Sequence, residues 1–345
     1  MRGAFQALVE HYRRTRRPLP WRERADPYAI LVSEVMLQQT RVGTVLPYYE
    51  RFLARFPSFQ ALAEADEQSL LAAWAGLGYY RRARNLQAAA REVVRLGGFP
   101  ATREGLRRLP GVGDYTAAAL ESILYNRPAL ALDGNAIRVL WRFLGLRDDP
   151  ATPIARRKVT ALVEPAIPPE TAGDFTQALM ELGATLCKPA RPACPSCPLS
   201  PECRAWRSGR PEDYPPPLPA GRTVPVLRAA ALAEWQDRVL LVQETAGGLL
   251  QGLWQCPTVE VQTPEQAASA LSDLLEAFGE PGPLAPAGEV RHAITFRRIR
   301  CLVYRCTLSP DRVGEGGTAA WVRRADLSDW PVPSATRRML KLLRG

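Results

Sequence analysis

Leu109-Pro110-Gly111-Val112-Gly113-Asp114-Tyr115-Thr116-Ala117 joins two segments of helical periodicity, TREGLRRL before it and TAAALESILY after it. The first amides of a helix have no partner within the helix and carry the positive end of its dipole. A turn with two glycines leaves such amides open to an anion. On this reading Gly111, Val112 and Gly113 grip a nucleic-acid phosphate; the plain alternative is a tight connection between two helices. Arg107 and Arg108 just before the turn, and Arg81, Arg82 and Arg84 on an earlier segment, favour the phosphate. Contacts of that kind ignore base sequence and weaken in salt.

Outward from the turn, residues 1–186 repeat apolar positions every three or four residues, the pattern of an all-α unit. The chain has 345 residues, 46% apolar and 23% charged, a globular mix that excludes disordered and collagen-like chains. Its length predicts two domains. No apolar run reaches the ~18–20 residues of a membrane span. The first residues, MRGAFQALVEHYRRTRRPLPWRER, lack an apolar signal core, so a cytoplasmic protein without a membrane partner is expected. A net charge of +10 predicts a polyanionic partner. The basic residues are nearly all Arg, and Lys158, Lys188 and Lys341 are the three lysines open to amine chemistry.

Four of the seven cysteines form C-x6-C-x2-C-x5-C at Cys187, Cys194, Cys197 and Cys203. Without a secretion signal, such a cluster points to a metal site rather than disulfides. Thiolates at this spacing suit either zinc or a [4Fe–4S] cluster. Cys256, Cys301 and Cys306 read as buried thiols. Residues 208–224, rich in Pro and Gly, mark a linker. Beyond it, VPVLRAAALAEWQDRVLLVQE predicts two strands about a turn at Gln236-Asp237. TPEQAASALSDLLEAFG predicts a helix capped by Thr263, RRIRCLVYRCTL a strand, and SATRRMLKLL a final helix. The fold class is therefore multidomain: an all-α unit over 1–207 with its cysteine loop at 187–203, and an α+β unit over 225–345.

Within the helical unit, Asp26-Pro27 opens a helix holding Glu34 among Ile30, Leu31, Leu37 and Gln38, with no basic neighbour one turn away. A carboxyl in an apolar stripe has a raised pKa and suits a general acid; otherwise it sits at the stripe's edge and reaches water. Leu130-Ala131-Leu132-Asp133-Gly134-Asn135 ends an apolar run before the helix AIRVLWRFLG. Asp133 or Asn135 caps that helix, or Asp133 faces a pocket. A neutral and an ionised carboxyl together are what glycosidic-bond cleavage uses. Trp74 to Arg84 sets two glycines beside Tyr79 and Tyr80, either a wedge for a base stack or packed aromatics at a helix end.

Taken together, SEVMLQQT, GLGYYRRARNL, LPGVGDYTA, LDGNAIRVL and the cysteine tail resemble the helix–hairpin–helix DNA glycosylases that carry an iron–sulfur cluster, and within them the MutY-type adenine DNA glycosylases. The resemblance implies a [4Fe–4S] cofactor on the four cysteines. It implies as partner a DNA duplex with adenine opposite 8-oxoguanine or guanine, the adenine being extruded for base excision repair. Glu34 would protonate the leaving base, Asp133 would stabilise the oxocarbenium-like sugar, and Tyr115 and Asn135 would hold the carboxylates and sugar. Arg17, Arg22 and Gln177 match positions near the adenine pocket. Gln39 and Tyr79 match residues wedged around 8-oxoguanine. A monomer in the bacterial nucleoid is expected.

Relatives of the endonuclease III type use a lysine after the hairpin to form a Schiff base and cut the backbone. Here that position is Tyr115, which favours a monofunctional enzyme over a glycosylase/lyase. The carboxyl pair argues against a third possibility, a non-enzymatic iron–sulfur sensor that binds DNA. The C-terminal unit resembles a Nudix-like domain whose helix lacks the acidic residues for Mg²⁺, so recognition rather than hydrolysis is implied. Where many relatives carry Phe-Ser-His on the base-probing loop, this chain has Ile294-Thr295-Phe296. Thr295 and Phe296 are the expected contacts, and the departure implies a different or weaker reading of 8-oxoguanine.

Overall fold

A computed structural model of the chain describes residues 1–216, 222–245, 250–309 and 317–344. The chain divides into two compact units: Met1–Val45, Phe56–Glu64 and Asn85–Pro219 in the first, and Leu46–Arg55, Ala65–Arg84 and Ala220–Gly345 in the second. The C-terminal unit is thus larger than a cut at the linker implies. Two stretches from the helical half join it, and hydrogen bonds tie the second of them to the C-terminal residues. Tyr80 Oη donates to Val332 O (3.3 Å), and Arg84 Nη2 donates to Gln251 O (2.5 Å).

The helices are α1 (Arg2–Thr15), α2 (Pro27–Leu37), α3 (Val42–Arg55), α4 (Phe59–Glu64), α5 (Glu67–Trp74), α6 (Arg81–Leu96), α7 (Arg103–Arg107), α8 (Asp114–Tyr125), α9 (Gly134–Leu144), α10 (Pro153–Val163), α11 (Ala172–Thr185) and α12 (Arg204–Arg207). Asp26 caps α2 by accepting from the amides of Tyr28 and Ala29, with Pro27 at the first position. Every residue of α2 from Tyr28 to Met36 is buried. The helix therefore runs through the interior, and what reads as a stripe is apolar on all sides. The first unit's core gathers Phe5, Phe143 and Phe175 with Trp141 between α1, α9, α10 and α11.

In the second unit β1 (Val224–Trp235) and β7 (Arg297–Ser309) pair in parallel. β2 (Arg238–Gln243) and β4 (Thr258–Glu260) flank β1, β3 (Trp254–Gln255) and β8 (Ala319–Arg323) pair with β2, and β5 (Glu280–Pro281) and β6 (Ala285–Ile294) pair with β7. Side chains alternate across a strand. Ala229, Ala231 and Ala233 accordingly pack with Leu271 and Leu275 of α13 (Ala267–Leu275). Ala230 and Leu232 pack with Met339 and Leu340 of α14 (Ser334–Leu340). A sheet covered on both faces needs no polar alternation, which explains the run RAAALA. Gln236 takes φ +55° in the β1–β2 turn, and Thr263 and Gln266 form a capping box before α13, as the sequence patterns lead one to expect.

Candidate active site and cysteine loop

A cavity of about 900 Å³ in the first unit is lined by Glu34, Tyr115, Asp133, Asn135, Gln177, Glu181, Arg17, Arg22 and Gln39 among others. Residues far apart in sequence thus meet where a base-sized ligand fits. Glu34 is 6% exposed, and Tyr115 Oη donates to its Oε2 at 3.1 Å. Burial pushes the Glu34 carboxyl up to about 7; the Tyr115 hydrogen bond opposes the rise and the charge of Asp133 adds to it. Burial, then Glu34 and Asp133, push the Tyr115 phenol well above its ordinary range, so it stays a neutral donor.

Asp133 is the cap of α9: its Oδ1 accepts from Ala136 N (2.6 Å) and its Oδ2 from Asn135 Nδ2 (3.0 Å). Capping and facing the pocket are one role here, because the cap lines the cavity. Asn135 Oδ1 in turn accepts from Arg138 Nη2 (2.8 Å), which also donates to Gly183 O (2.7 Å), while Arg138 Nε donates to Cys187 O (2.7 Å). Arg138 therefore ties the Asp133 cap to the cysteine loop. A Cβ on Gly183 would stand 2.5 Å from Asn135 Cβ and 2.9 Å from its Cα. Gly183→Ala is expected to cost about 1–3 kcal/mol by overpacking and to disturb the chemistry of the cavity by displacing Asn135. A thermal melt and a single-turnover assay check both; an unchanged melting temperature contradicts the packing.

Arg17 and Arg22 line the cavity but are committed to Glu181. Arg17 Nε reaches Oε1 at 2.7 Å, and Arg22 Nη2 reaches Oε2 at 2.8 Å. Burial pushes the Glu181 carboxyl up, but the hydrogen bonds from Arg17 and Arg22 outweigh it and hold the group at about 2. Gln177 Oε1 accepts from Tyr12 Oη at 3.1 Å. Glu181 is absent from the sequence reading, and nothing near it in the chain marks it, since Arg17 lies 164 residues away.

The glycine turn departs from expectation at one residue. Val112 is buried and its N–H donates to Leu109 O at 3.1 Å, so it anchors the turn instead of presenting an amide. Gly111, at φ +78°, and Gly113, the N-cap of α8, are exposed. The arginines expected beside them are paired: Arg107 with Asp114 (2.7 Å) and Arg108 with Glu104 (2.6 Å). Arg82 is buried; its Nη2 donates to Leu77 O and Gly78 O at 3.0 Å each, and its guanidinium lies over the Trp74 and Tyr79 rings. It shapes the loop that carries Tyr79 and is no phosphate ligand. Gln39 and Tyr79 both take positive φ, +56° and +49°, a backbone that costs non-glycine residues energy and concentrates at functional sites. Thr295, at φ +52°, and Phe296, 57% exposed, form the turn between β6 and β7. Thr295 Oγ1 donates to Ile294 O at 2.7 Å.

Cys187, Cys194, Cys197 and Cys203 line one small pocket with Val139, Phe143 and Leu199. Arg142, 3% exposed, clamps the loop: Nη1 donates to Cys187 Sγ (3.4 Å) and Lys188 O (2.7 Å), and Nη2 to Pro189 O (2.9 Å). Burial, and secondarily neighbouring thiols, push the Cys194, Cys197 and Cys203 thiols up. Thiolates here therefore need a cationic centre. Among the described residues, no three Cys, His, Asp or Glu side chains converge closely enough to hold a single ion. Four thiols on one pocket are a soft donor set of the kind that holds zinc or an iron–sulfur cluster. Arg138 and Arg142 stand one turn apart in AIRVLWRFLG, and that repeat is the signal the sequence reading passed over.

A family model described as HhH-GPD superfamily base excision DNA repair protein matches residues 32–165, and a NUDIX domain model matches residues 228–342. The chain is 34% identical over 402 residues to the human adenine DNA glycosylase, covering 98% of this chain and 73% of that one. It is 35% identical over 400 residues to the mouse adenine DNA glycosylase, covering 98% and 78%. The chain belongs to the adenine DNA glycosylase family. Its helical part is similar to a thermostable thymine-DNA glycosylase (TM-score 0.55, 29% identity, 59% of this chain and 95% of that one). It is also similar to endonuclease III in a trapped covalent intermediate with DNA (TM-score 0.52, 25% identity, 60% and 96%). As an adenine DNA glycosylase it hydrolyses the N-glycosyl bond of adenine in DNA, in base excision repair. Among the described residues no helix is long and apolar enough to cross a membrane.

Proposed function

We propose that this adenine DNA glycosylase is monofunctional and removes adenine opposite 8-oxoguanine or guanine, with Glu34 as the acid and Asp133 as the stabilising anion. One observation carries the reading: a buried carboxyl at about 7 shares a cavity with a second carboxylate, and a neutral tyrosine donates to the first. A base-sized leaving group needs a proton, and Glu34 still holds one near neutral pH. The sugar left behind gains positive charge, which Asp133 faces. Tyr115 orients Glu34, and Asn135 orients Asp133. Arg17 and Arg22 fix Glu181 on the wall that receives adenine, with Gln177 beside it. Among the described residues no lysine lines the cavity, which supports water as the acceptor.

Gly111 and Gly113 meet the DNA backbone, and Gln39, Tyr79, Thr295 and Phe296 meet the bases around the opposite strand's purine. The two strained backbones at Gln39 and Tyr79 support that reading. The four cysteines hold a [4Fe–4S] cluster, which when bound pins the 187–203 loop against α9; iron with acid-labile sulfide is expected, and colourless protein with stoichiometric zinc contradicts it. The enzyme acts as a monomer in the bacterial nucleoid. The test is single-turnover release of adenine from A:8-oxoguanine, A:G and A:C duplexes. Adenine should leave the first two and strand breaks should require alkali. Breaks without alkali, or borohydride trapping of a covalent adduct, would reject water as acceptor.

A further inference from the structure

Three arginines line the cavity that holds Glu34 and Asp133: Arg17, Arg22 and Arg41. Two of them are committed inside the protein, since Arg17 and Arg22 both pair with Glu181. Arg41 is different. It is exposed, and among the described residues its guanidinium makes no hydrogen bond and no ion pair. Packing and internal pairing therefore leave this cation unexplained.

The charges on the wall do not cancel. Glu181 and Asp133 balance Arg17 and Arg22, and the Glu34 carboxyl, pushed up to about 7, keeps its proton below that value. Arg41 thus leaves the wall one positive charge in excess. A base and its sugar are neutral, whereas each phosphodiester beside the sugar carries a full negative charge. Desolvating that charge is costly, so the base and sugar enter a hollow and the phosphates stay at its rim. An exposed arginine on the same cavity stands where those phosphates stay.

The chain also fixes Arg41 relative to Glu34. α2 carries Glu34 and ends at Leu37, α3 begins at Val42, and residues 38–41 join them. Thr40 N donates to Leu37 O at 3.3 Å, which closes the turn on α2. Arg41 O accepts from Thr44 N (2.9 Å) and Val45 N (3.1 Å), which starts α3 on the same residue. A side chain rooted at a helix start is held more closely than one on a free loop. Gln39, at φ +56°, lies two residues earlier in this connection, so the expected wedge and the cation share one mount.

We propose that Arg41 binds a backbone phosphate flanking the extruded adenosine, acting as a charge and not as a reader of a base edge. Extrusion turns the nucleotide about its own backbone, and Arg41 holds that backbone while the base occupies the cavity. The inference rests on the reading that adenine is cleaved there.

Arg41→Met and Arg41→Lys test it in the full chain with its cofactor bound. Neither removes an internal contact, and a thermal melt checks that both fold. The probe is a duplex with 2′-fluoro-2′-deoxyadenosine opposite guanine, whose fluorine destabilises an oxocarbenium-like sugar and so blocks cleavage. Titrated over a range of salt, Arg41→Met should bind about tenfold more weakly, the loss of one charge-assisted contact. Its slope of log affinity against log salt should be shallower by about one. Lysine keeps the point charge without the planar fork, so Arg41→Lys should retain most of the affinity and the full slope. Two further duplexes carry a neutral methylphosphonate at the 5′ or the 3′ linkage of the adenosine. On one of them the Arg41→Met defect should vanish, because the partner charge is already gone. An unchanged slope in Arg41→Met, an equal defect on both methylphosphonate duplexes, or Arg41→Lys as weak as Arg41→Met overturns the proposal; the last result would mean that the guanidinium meets a base. Loss of excision in Glu34→Gln with Arg41→Met unaffected removes Arg41 alone, whereas an active Glu34→Gln removes the reading of the cavity and this inference with it.

Discussion

Glu34→Gln is expected to slow single-turnover adenine release by about 10²–10⁴-fold, the usual worth of a positioned acid, while duplex affinity stays unaltered. Gln fills the same volume and keeps an acceptor for Tyr115 Oη, so the cavity wall survives. What is lost is the proton. The pH dependence follows from the direction of the shift. Burial raises the carboxyl from 4.5 to about 7, so the acid form dominates below about 7 and the wild-type rate should fall as pH rises through that value. The glutamine variant should have no such limb. Near-normal turnover in the variant, or a wild-type rate that climbs through pH 7–8, would remove Glu34 from the acid role.

The same shift makes Glu34 a stability liability. The folded state keeps a proton that the unfolded state gives up above 4.5. Relative stability is therefore complete below 4.5 and is lost progressively as pH rises through about 7, by an amount on the order of 3 kcal/mol. Glu34→Gln should melt higher than wild type at pH 8, and the gap should close on acidification to pH 4. A gap independent of pH would mean that Glu34 ionises alike in both states. A carboxyl whose burial costs stability at the pH where it works fits a functional constraint better than a packing one.

Much of this site was legible in the chain because its signals are local. Glu34 declares itself through the lack of a basic neighbour within one helical turn, Asp133 through the apolar run before it and the helix it caps, and the cysteines through spacing. The residues that the sequence did not disclose act across the fold. Glu181 is defined by arginines more than 150 residues away, and only folding brings them together. Arg82 reads as a phosphate ligand because a sequence records charge and not its partner; the Leu77 and Gly78 carbonyls claim it, whereas the Arg107–Asp114 and Arg108–Glu104 pairs are exposed and leave both guanidiniums within reach of an anion. Val112 reads as an open amide because the turn's own Leu109–Val112 hydrogen bond depends on backbone angles. The packing of two helical stretches with the C-terminal unit is hidden for a like reason. Residues 46–55 and 65–84 are helical in pattern, and periodicity does not say against which core a helix packs.

Asp133→Asn separates charge from structure. Asparagine caps a helix as well as aspartate does, and its Oδ1 can still accept from Ala136 N, so α9 should keep its start. The negative charge facing the sugar disappears, and adenine release should slow by about 10²–10³-fold, the worth of one preorganised electrostatic contact. Two further consequences distinguish this from general damage. The charge of Asp133 helps to hold the Glu34 carboxyl up, so its removal should move the alkaline limb of the rate to lower pH. The new amide also presents N–H to Asn135 Nδ2, where an acceptor stood. If Asn135 turns its amide to suit, it gives up its bond from Arg138, the residue that also holds Cys187 O. One donor is left unmet in either arrangement, and a loss of about 1–3 kcal/mol in stability should accompany the kinetic defect. A variant within threefold of the wild-type rate, or one whose alkaline limb stays put, would show that the two carboxyls do not act on each other, and the acid–anion division of labour would fail with that result.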